Sequence, residues 1–451
     1  MNYLSGPSLP VYDKHTQERI ATLASASARD MNEAIEAGHA AIPLCKALSG
    51  HERQRILQHI VSGIRDKHAL FSKLLSQEVG KTMSEAEAEV NRAIDTFGIA
   101  AEEAVRIGGE VIPMDRTPRG QQKWGMTRRF PVGLCALIAP FNFPLNLAAH
   151  KIAPAIAAGC PFILKPASAT PLTALLLKDI LATAGLPPGS WAIFPASRDV
   201  ADQLITDPRI ALVSFTGSPD VGWDIKQRAG KKKVILELGG NAACIVDETA
   251  DLDIAIPKII AAAFTQAGQS CISVQRVYIH ESLFETATVM LAGLAKQFKI
   301  GPMISKTAAD RLLSWINDAI AHGAMCHCGA RQEGAYIQPT VLSQVPQSSP
   351  LACQEAFGPV VSITPFSRFE DALTAVNDSD FGLQAGVFTT LMSRAHQAFE
   401  TLDVGGVIIG DVPSLRFDHM PYGGIKDSGF GREGVRYAIL EDYTHEKILV
   451  F

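Results

Sequence analysis

What the chain lacks narrows its function before any motif is considered. It has no basic stripe that would offer a footprint for a polyanion: Lys plus Arg number 41 against 46 Asp plus Glu, a formal net charge of −5, which argues against a nucleic-acid binder. The opening segment, MNYLSGPSLPVYDKHTQERI, lacks the basic start, apolar core and small-residue cleavage site of a secretory signal, so a cytoplasmic protein is expected. Long hydrophobic runs are equally scarce. The longest uncharged stretch, Phe130 to Ala149, carries Pro131, Pro140, Asn142, Pro144 and Asn146, whose backbone breaks and amides are costly in lipid. A buried strand, loop and helix fits it better than a membrane span. Eight cysteines scattered over 451 residues are too sparse for a disulfide framework and read as free thiols. There is no internal repeat and no low-complexity linker. Hydrophobic residues at 47% and charged residues at 19% exclude a disordered chain, and the length suits two or three domains.

Periodicity organises the remainder. Ala28 to Leu44, His51 to Gln77 and Ser84 to Ile107 place apolar residues three and four apart and predict helices. Between residues 132 and 245, short apolar strands (VGLCALIA, PFILK, WAIFP, ALVSFTG, KVILEL) alternate with helical segments at Asn146–Ala158, Pro171–Ala184, Asp199–Thr206 and Asp220–Arg228, the pattern of a parallel α/β sheet. The alternation repeats from 246 to 425 (CIVDE, RVYIH, VVSITPF, AGVFTT, GGVIIG), with helices near 254–266, 281–297, 307–322 and 393–402, and predicts a second α/β domain. The closing KILVF reads as an apolar strand whose edge needs a partner, and a second subunit is one source of it.

Several segments carry chemistry. GFGREG, Gly429 to Gly434, matches a dinucleotide fingerprint literally, but no strand precedes it and too little chain follows for a βαβ unit, so it reads as a glycine-rich loop. GSPDVG, Gly217 to Gly222, follows a strand and opens a helix, where free N–H groups favour a phosphate; any strand-to-helix turn also favours these residues. Cys271, just ahead of RVYIH, sits where backbone amides can stabilise a thiolate, although buried inert cysteines are common. Glu237 ends KKKVILE before two glycines, at the carboxyl end of a predicted strand. Asn142 sits on a stiff loop between two prolines, a suitable donor for an oxyanion and equally an ordinary turn asparagine. Cys326 and Cys328 with His322 and His327 hint at a metal cluster, but the one-residue gap is not zinc spacing and no metal is expected.

In order and together, PFNFPLNLAAHKIAPAIAAG, ILKPAS, FTGSPDVG, LELGGN, GQSC, EAFGP, FGLQAGVFT and PYGGIKDSGFGREG resemble the aldehyde dehydrogenase superfamily almost end to end, with Glu237 and Cys271 separated by 34 positions as that family has them. The resemblance implies two parallel-sheet α/β domains, a modified Rossmann cofactor domain and a catalytic domain, with a small β arm for oligomerisation. Residues 1–117 and 134–240 would bind cofactor, 241–430 would form the catalytic domain, and 118–133 with 431–451 the arm of a homodimer or homotetramer. It implies Cys271 as the nucleophile that forms a thiohemiacetal and then a thioester, Asn142 as oxyanion donor and Glu237 as the base that activates the hydrolytic water. Lys165 would reach the adenosine ribose, Gly217, Ser218 and Gly222 would lie by the pyrophosphate, and Glu355 with Phe357 would hold the nicotinamide ribose.

Two departures from the family pattern matter. Ser168 stands where NAD-preferring relatives often carry a ribose-binding glutamate, so NADP is expected to be accepted, even preferred, beside NAD. The chain begins close to the family's first common segment, so little of the core is expected to be missing. By the same alignment Arg92, Phe143, Asn146, His150, Ser270, Ile272 and Arg416 border the aldehyde tunnel. Arg92 and Arg416 suit a small hydroxylated or anionic aldehyde, unless they pair with a carboxylate such as Asp418. Alternatives are a CoA-acylating semialdehyde dehydrogenase, against which Glu237 argues, and a non-catalytic protein on the same fold.

Overall fold

The structure, a computed structural model, describes residues 4–451. Helices at Ala28–Ala40, Gly50–Asp66 and Met83–Ala104 each start at a Ser or Thr that caps the N3 amide while the N3 Asp or Glu answers the cap's own N–H (Ser27 with Asp30, Ser49 with Glu52, Thr82 with Glu85). The helix expected over 51–77 is two helices. The chain leaves helical geometry at Lys67 (φ −103°, ψ 16°) before His68–Val79 resumes, and both pieces lay their apolar stripes (Ile60 and Ile64; Phe71 and Leu75) on the Met83–Ala104 helix.

Two sheets carry the fold. The first has six strands in the order Gly429–Phe430, Lys233–Glu237, Ile210–Thr216, Leu134–Ile138, Phe162–Lys165, Trp191–Ile193, parallel except for the two-residue edge strand. The second has seven: Met325–Cys328, Thr340–Ser343, Val360–Phe366, Arg276–His280, Ala243–Val246, Gln384–Phe388, Gly406–Ile409, parallel except at Met325–Cys328. Both faces of each sheet are covered, which is why their strands read as continuous apolar runs. Along Leu134–Ile138, alternate residues Cys135 and Leu137 enter one core while Leu134, Ala136 and Ile138 enter the other. Ala243–Val246 divides in the same way. The expected helices at 146–158 and 281–297 form over those residues.

A third sheet sits apart. Trp124–Pro131 pairs antiparallel with Thr444–Val450 on one side and Val111–Pro113 on the other. The closing strand therefore has an in-chain partner, while its outer edge stays unpaired among the described residues and Ile448, Leu449, Val450 and Phe451 are exposed. Gly429 and Phe430, expected in the catalytic portion, extend the first sheet instead, and Val111–Pro113 joins the arm sheet.

Two buried carboxylates from the N-terminal helices cap elements of the first domain. Glu89 accepts from the Leu145 and Asn146 amides (2.9 and 3.1 Å) at the start of the Asn146–Ala158 helix. Glu78 accepts from the Leu172 and Thr173 amides (2.7 and 2.9 Å) and the Thr173 hydroxyl at the start of Leu172–Leu181. These acceptors satisfy orphan N–H groups that neither helix caps with its own side chains. No helix among the described residues is long and apolar enough to cross a membrane.

Candidate active site

The carboxyl ends of the first sheet's strands open into a cavity of about 970 Å³ that also touches the second domain. Its wall comes from the turns after Leu134–Ile138, Phe162–Lys165, Ile210–Thr216 and Lys233–Glu237, and from segments 261–272, 355–357 and 412–416 across the way. Open α/β sheets place ligands at this position, because strand ends converge there and helix N-termini face inward.

Cys271 follows a sharp elbow. Gln266, Ala267 and Gly268 all take left-handed φ (60°, 53° and 67°), turning the chain from the Leu252–Phe264 helix toward Arg276–His280 and leaving the thiol on the cavity wall. A Cβ at Gly268 would meet the Gly358 carbonyl oxygen at 2.3 Å, so the elbow requires glycine at that point. Burial pushes the Cys271 thiol up to about 12; a hydrogen-bonding contact with Tyr422 opposes that rise, the Glu355 and Glu237 carboxylates add to it, and Arg416 lowers it. Glu237, 2% exposed, has neither carboxylate oxygen hydrogen-bonded among the described residues. Burial first, then the Glu433 carboxylate, hold it well above the ordinary carboxylate range, against Arg416, Lys151 and Arg432. Asn142, 5% exposed, donates through Nδ2 to the Gln269 carbonyl (3.0 Å), which aims the amide, and its Oδ1 has no partner. The same cavity holds all three.

At the other end, Lys165 terminates its strand with Nζ on the Pro166 carbonyl (3.2 Å) and no carboxylate in ion-pair range among the described residues; burial lowers its pKa. Ser168 lines the wall beside it. The helix Pro219–Arg228 begins at Ser218 without a side-chain cap, so first-turn amides remain free at the cavity, beside Gly217. Glu355 accepts from the Gly240 amide (2.9 Å), and burial pushes it up to about 7. Phe357 lies edge-on to Phe141, ring centroids 5.8 Å apart.

Not every expected contact is on the wall. Gly222 lies behind it: a Cβ there would come within 2.3 Å of Leu238, so it is a packing glycine between helix and strand. His150 is 3% exposed and also lies behind the wall, with Nε2 on Asp418 (2.9 Å) and the Arg416 guanidinium at 3.2–3.3 Å. Arg92 and Arg416 both line the cavity but are not free cations. Arg92 binds Asp418 at 2.8 Å; Arg416 binds Glu433 at 3.1 Å and lies 4.0 Å from Asp418. His150 and Arg92 together hold Asp418 well below the ordinary carboxylate range. Phe143, Asn146, Ser270 and Ile272 also line the cavity. His322, His327, Cys326 and Cys328 lie elsewhere: His327 meets Ser343 (2.7 Å), and Cys328 is buried on its strand.

The family model described as "Aldehyde dehydrogenase family" matches residues 3–449. The chain belongs to the aldehyde dehydrogenase family. It is 39% identical over 453 aligned residues to the 3-sulfolactaldehyde dehydrogenase of Priestia megaterium, an alignment covering 98% of this chain and 94% of the relative. Among solved structures it superposes on aldehyde dehydrogenase 21 from Physcomitrella patens, crystallised with the reaction product succinate (TM-score 0.97, 44% identity, 99% and 95% of the two chains). It also superposes on the glyceraldehyde-3-phosphate dehydrogenase of Methanocaldococcus jannaschii, complexed with NADP (TM-score 0.94, 33% identity, all of both chains).

An aldehyde dehydrogenase is an oxidoreductase that uses NAD or NADP, and this donor set fits such a cofactor. Unfilled amides at Ser218 and an unpaired Lys165 ammonium suit a pyrophosphate and a phosphorylated ribose, and Glu355 offers a carboxylate to hydroxyls. A Cβ at Gly239 would lie 2.8 Å from the Glu355 carboxylate, so glycine leaves that group room. Tyr422, Glu433 and Lys151 also belong to the site, though no sequence pattern singles them out. Tyr422 stands in the quoted PYGG segment and Lys151 in HKIAP, so the residues were visible, but nothing in their spacing marks them as neighbours of Cys271 and Glu237.

Proposed function

We propose that the protein oxidises a small aldehyde bearing an anionic or polyhydroxylated tail to the free carboxylic acid, with Cys271 as nucleophile. Supporting this reading above all is Glu237, a buried carboxylate with no hydrogen-bond partner on the same cavity as the thiol. A thioester released by water needs such a base; transfer to CoA does not. Bound NAD(P)+ supplies the hydride acceptor. The thiol proton is lost to solvent, and Glu237 is the base on the cavity wall that later takes a proton from water. The Cys271 sulfur bonds to the aldehyde carbon, and the Asn142 amide donates to the resulting alkoxide. Loss of hydride from that carbon leaves a thioester on Cys271. Water, deprotonated toward Glu237, adds to it, and the carbon–sulfur bond breaks to give the acid and the Cys271 thiolate.

Lys165 beside Ser168, with no carboxylate between them, favours NADP at least as much as NAD. Arg92 is the better substrate-facing guanidinium, because its side chain is 34% exposed while that of Arg416 is 5% exposed and wedged between carboxylates. The 3-sulfolactaldehyde for which the Priestia relative is named and the succinate bound to the Physcomitrella enzyme are both small anionic compounds, which supports the same class. The unpaired outer edge of Thr444–Val450, with its exposed apolar residues, is read as the dimer contact of the arm formed by 118–133 and 431–451, flanking a cofactor domain (1–117, 134–240) and a catalytic domain (241–430).

The test follows NAD(P)H formation with lactaldehyde, glycolaldehyde and succinate semialdehyde, with each cofactor, without CoA. Turnover abolished by Cys271→Ala is the expected result. Silence reversed by CoA would move the assignment to the acylating class.

A further inference from the structure

Tyr422 occupies a position that the mechanism above does not use. Its backbone forms a bridge with Glu433, the Tyr422 amide donating to the Glu433 carbonyl at 3.0 Å and the Glu433 amide returning to Tyr422 at 2.6 Å. The side chain is 3% exposed, packed with Ile272 and Leu383. The Arg416 guanidinium lies over its ring, 3.7 Å from the centroid, and is itself held by Glu433. The ring is thus pinned between a backbone bridge and a cation that the same bridge residue anchors. The hydroxyl reaches 3.4 Å from Cys271 Sγ, and that sulfur is its hydrogen-bond contact among the described residues.

We propose that Tyr422 is a further catalytic residue of this enzyme, its hydroxyl donating a hydrogen bond to the Cys271 sulfur and stabilising the thiolate both as attacking nucleophile and as leaving group when the thioester is hydrolysed. The proposal rests on the reading of Cys271 as nucleophile. The direction of donation follows from the chemistry: a thiolate has no proton to give, so on ionisation only the phenol can donate. The phenol retains its proton, because burial and then the neighbouring Cys271 push its own pKa well above the ordinary value, with Arg416 opposing and Glu237 adding. The charged groups facing the sulfur divide in sign. Glu355 and Glu237 disfavour a thiolate, and Arg416 favours it across the Tyr422 ring. Against two carboxylates in a desolvated cavity, a donor fixed on the sulfur is the remaining local support for negative charge.

Tyr422→Phe removes the hydroxyl and keeps the ring, the bridge and the stacked guanidinium. The measurement is the rate of Cys271 alkylation by iodoacetamide as a function of pH, with Cys271→Ala as the blank for the other seven thiols, alongside kcat and KM. A lost hydrogen bond to a charged group corresponds to roughly a tenfold change in thiolate population, softened to about three- to fivefold in rate because a more basic thiolate is more nucleophilic. Expected are alkylation slowed by that factor at each pH below the thiol midpoint and kcat lowered with KM for aldehyde little changed. Tyr422→Leu, which also removes the ring under Arg416, should match Tyr422→Phe in alkylation while raising KM. Alkylation and kcat of Tyr422→Phe equal to the parent's, with Tyr422→Leu impaired, would overturn the proposal and leave the tyrosine as packing. Aldehyde oxidation surviving in Cys271→Ala would instead overturn the underlying assignment of the nucleophile.

Discussion

Replacing Glu237 by Gln separates the two halves of the reaction. The structure gives unusual control over the outcome, because neither carboxylate oxygen accepts a hydrogen bond, so the substitution breaks none. The site also holds the group well above the ordinary carboxylate range, through burial and the facing Glu433 charge, so ionised Glu237 is a burden on the fold rather than a support. A raised acid stabilises the folded state below its unfolded pKa, and that contribution is lost as pH rises through the folded value. Gln carries no charge to lose, so the variant should be at least as stable as the parent above neutrality, in keeping with a residue kept for activity at the expense of stability. Catalysis should divide. Attack and hydride transfer can proceed once the thiol is ionised, whereas thioester hydrolysis loses its base, a deficit of roughly 10²- to 10⁴-fold in turnover. Rapid mixing with aldehyde and excess NAD(P)+ should therefore show a burst of reduced cofactor approaching one per active site, followed by a nearly flat steady state, and mass spectrometry should find the acyl group on Cys271. Thermal melting at pH 8 checks the stability arm. Steady-state turnover within a few-fold of the parent would refute Glu237 as the hydrolytic base, and a lowered melting point would refute the account of its burial.

Three further outcomes follow from other parts of the molecule. Lys165→Ala should lower kcat/KM with NADP by about tenfold or more while changing the NAD value less, and Ser168→Glu should shift the ratio the same way by placing a carboxylate against the 2′-phosphate; paired kinetics with both cofactors checks it. Arg92→Gln should raise KM for succinate semialdehyde by about tenfold and leave propionaldehyde unchanged, since removing a charge-assisted contact affects only a substrate with an anion to place. Glu78, buried and pushed from 4.5 up to about 7 despite three donors, contributes stability that is complete below its unfolded pKa and fades as pH rises through about 7, a difference of about 3 kcal/mol; Glu78→Gln, whose single amide oxygen keeps an acceptor for only one of the Leu172 and Thr173 amides, should lower stability overall while flattening denaturant unfolding free energy between pH 5 and pH 8 by about that much.

The parallel sheets were readable because both of their faces are buried, which turns each central strand into an uninterrupted apolar word such as LCALI or FILK. Helices with a strong stripe were readable for the complementary reason. What escaped were elements whose stabilisation is not written in their own residues. The hairpin Ser8–Tyr12 with Arg19–Ala24 is largely exposed and mixed in polarity, and the strand Trp124–Pro131, anticipated only through the family resemblance as part of a β arm, is specified by pairing with a segment 313 residues later in its register of Pro131 against Thr444. The break at Lys67 is invisible to periodicity, since the stripe resumes in phase enough to look continuous, and both helices lie on the Met83–Ala104 helix.

The site divides along the same line. Cys271, Glu237, Asn142 and Gly217 could be picked out because each sits at the end of a strand or on a turn, where local sequence announces an exposed backbone or an odd side chain, while Lys165 came only through the family resemblance. The charges around them could not be apportioned in that way. Asp418 gathers Arg92 from 326 residues upstream and His150 from 268, and Glu433 draws Lys151 across 282. Asp418 could be named as a carboxylate partner for the arginines, but neither its contact with His150 nor that of Glu433 with Lys151 is encoded in the neighbourhood of either residue; only the packing that brings the Met83–Ala104 and Asn146–Ala158 helices to these carboxylates does. This alters what the arginines can do. Two free guanidinium groups would make a strong site for a doubly charged tail, but Arg416 is already matched to Glu433 and supported by a ring, so its charge is spent mostly on orienting Tyr422 and steadying the ground beneath Glu237. On the proposed reading specificity then falls to Arg92, which shares its one carboxylate with His150 while lining the cavity. A single partly neutralised guanidinium recognises a monoanion or a cluster of hydroxyls better than it holds a dianion, and that sets the range of tails this cavity should accept.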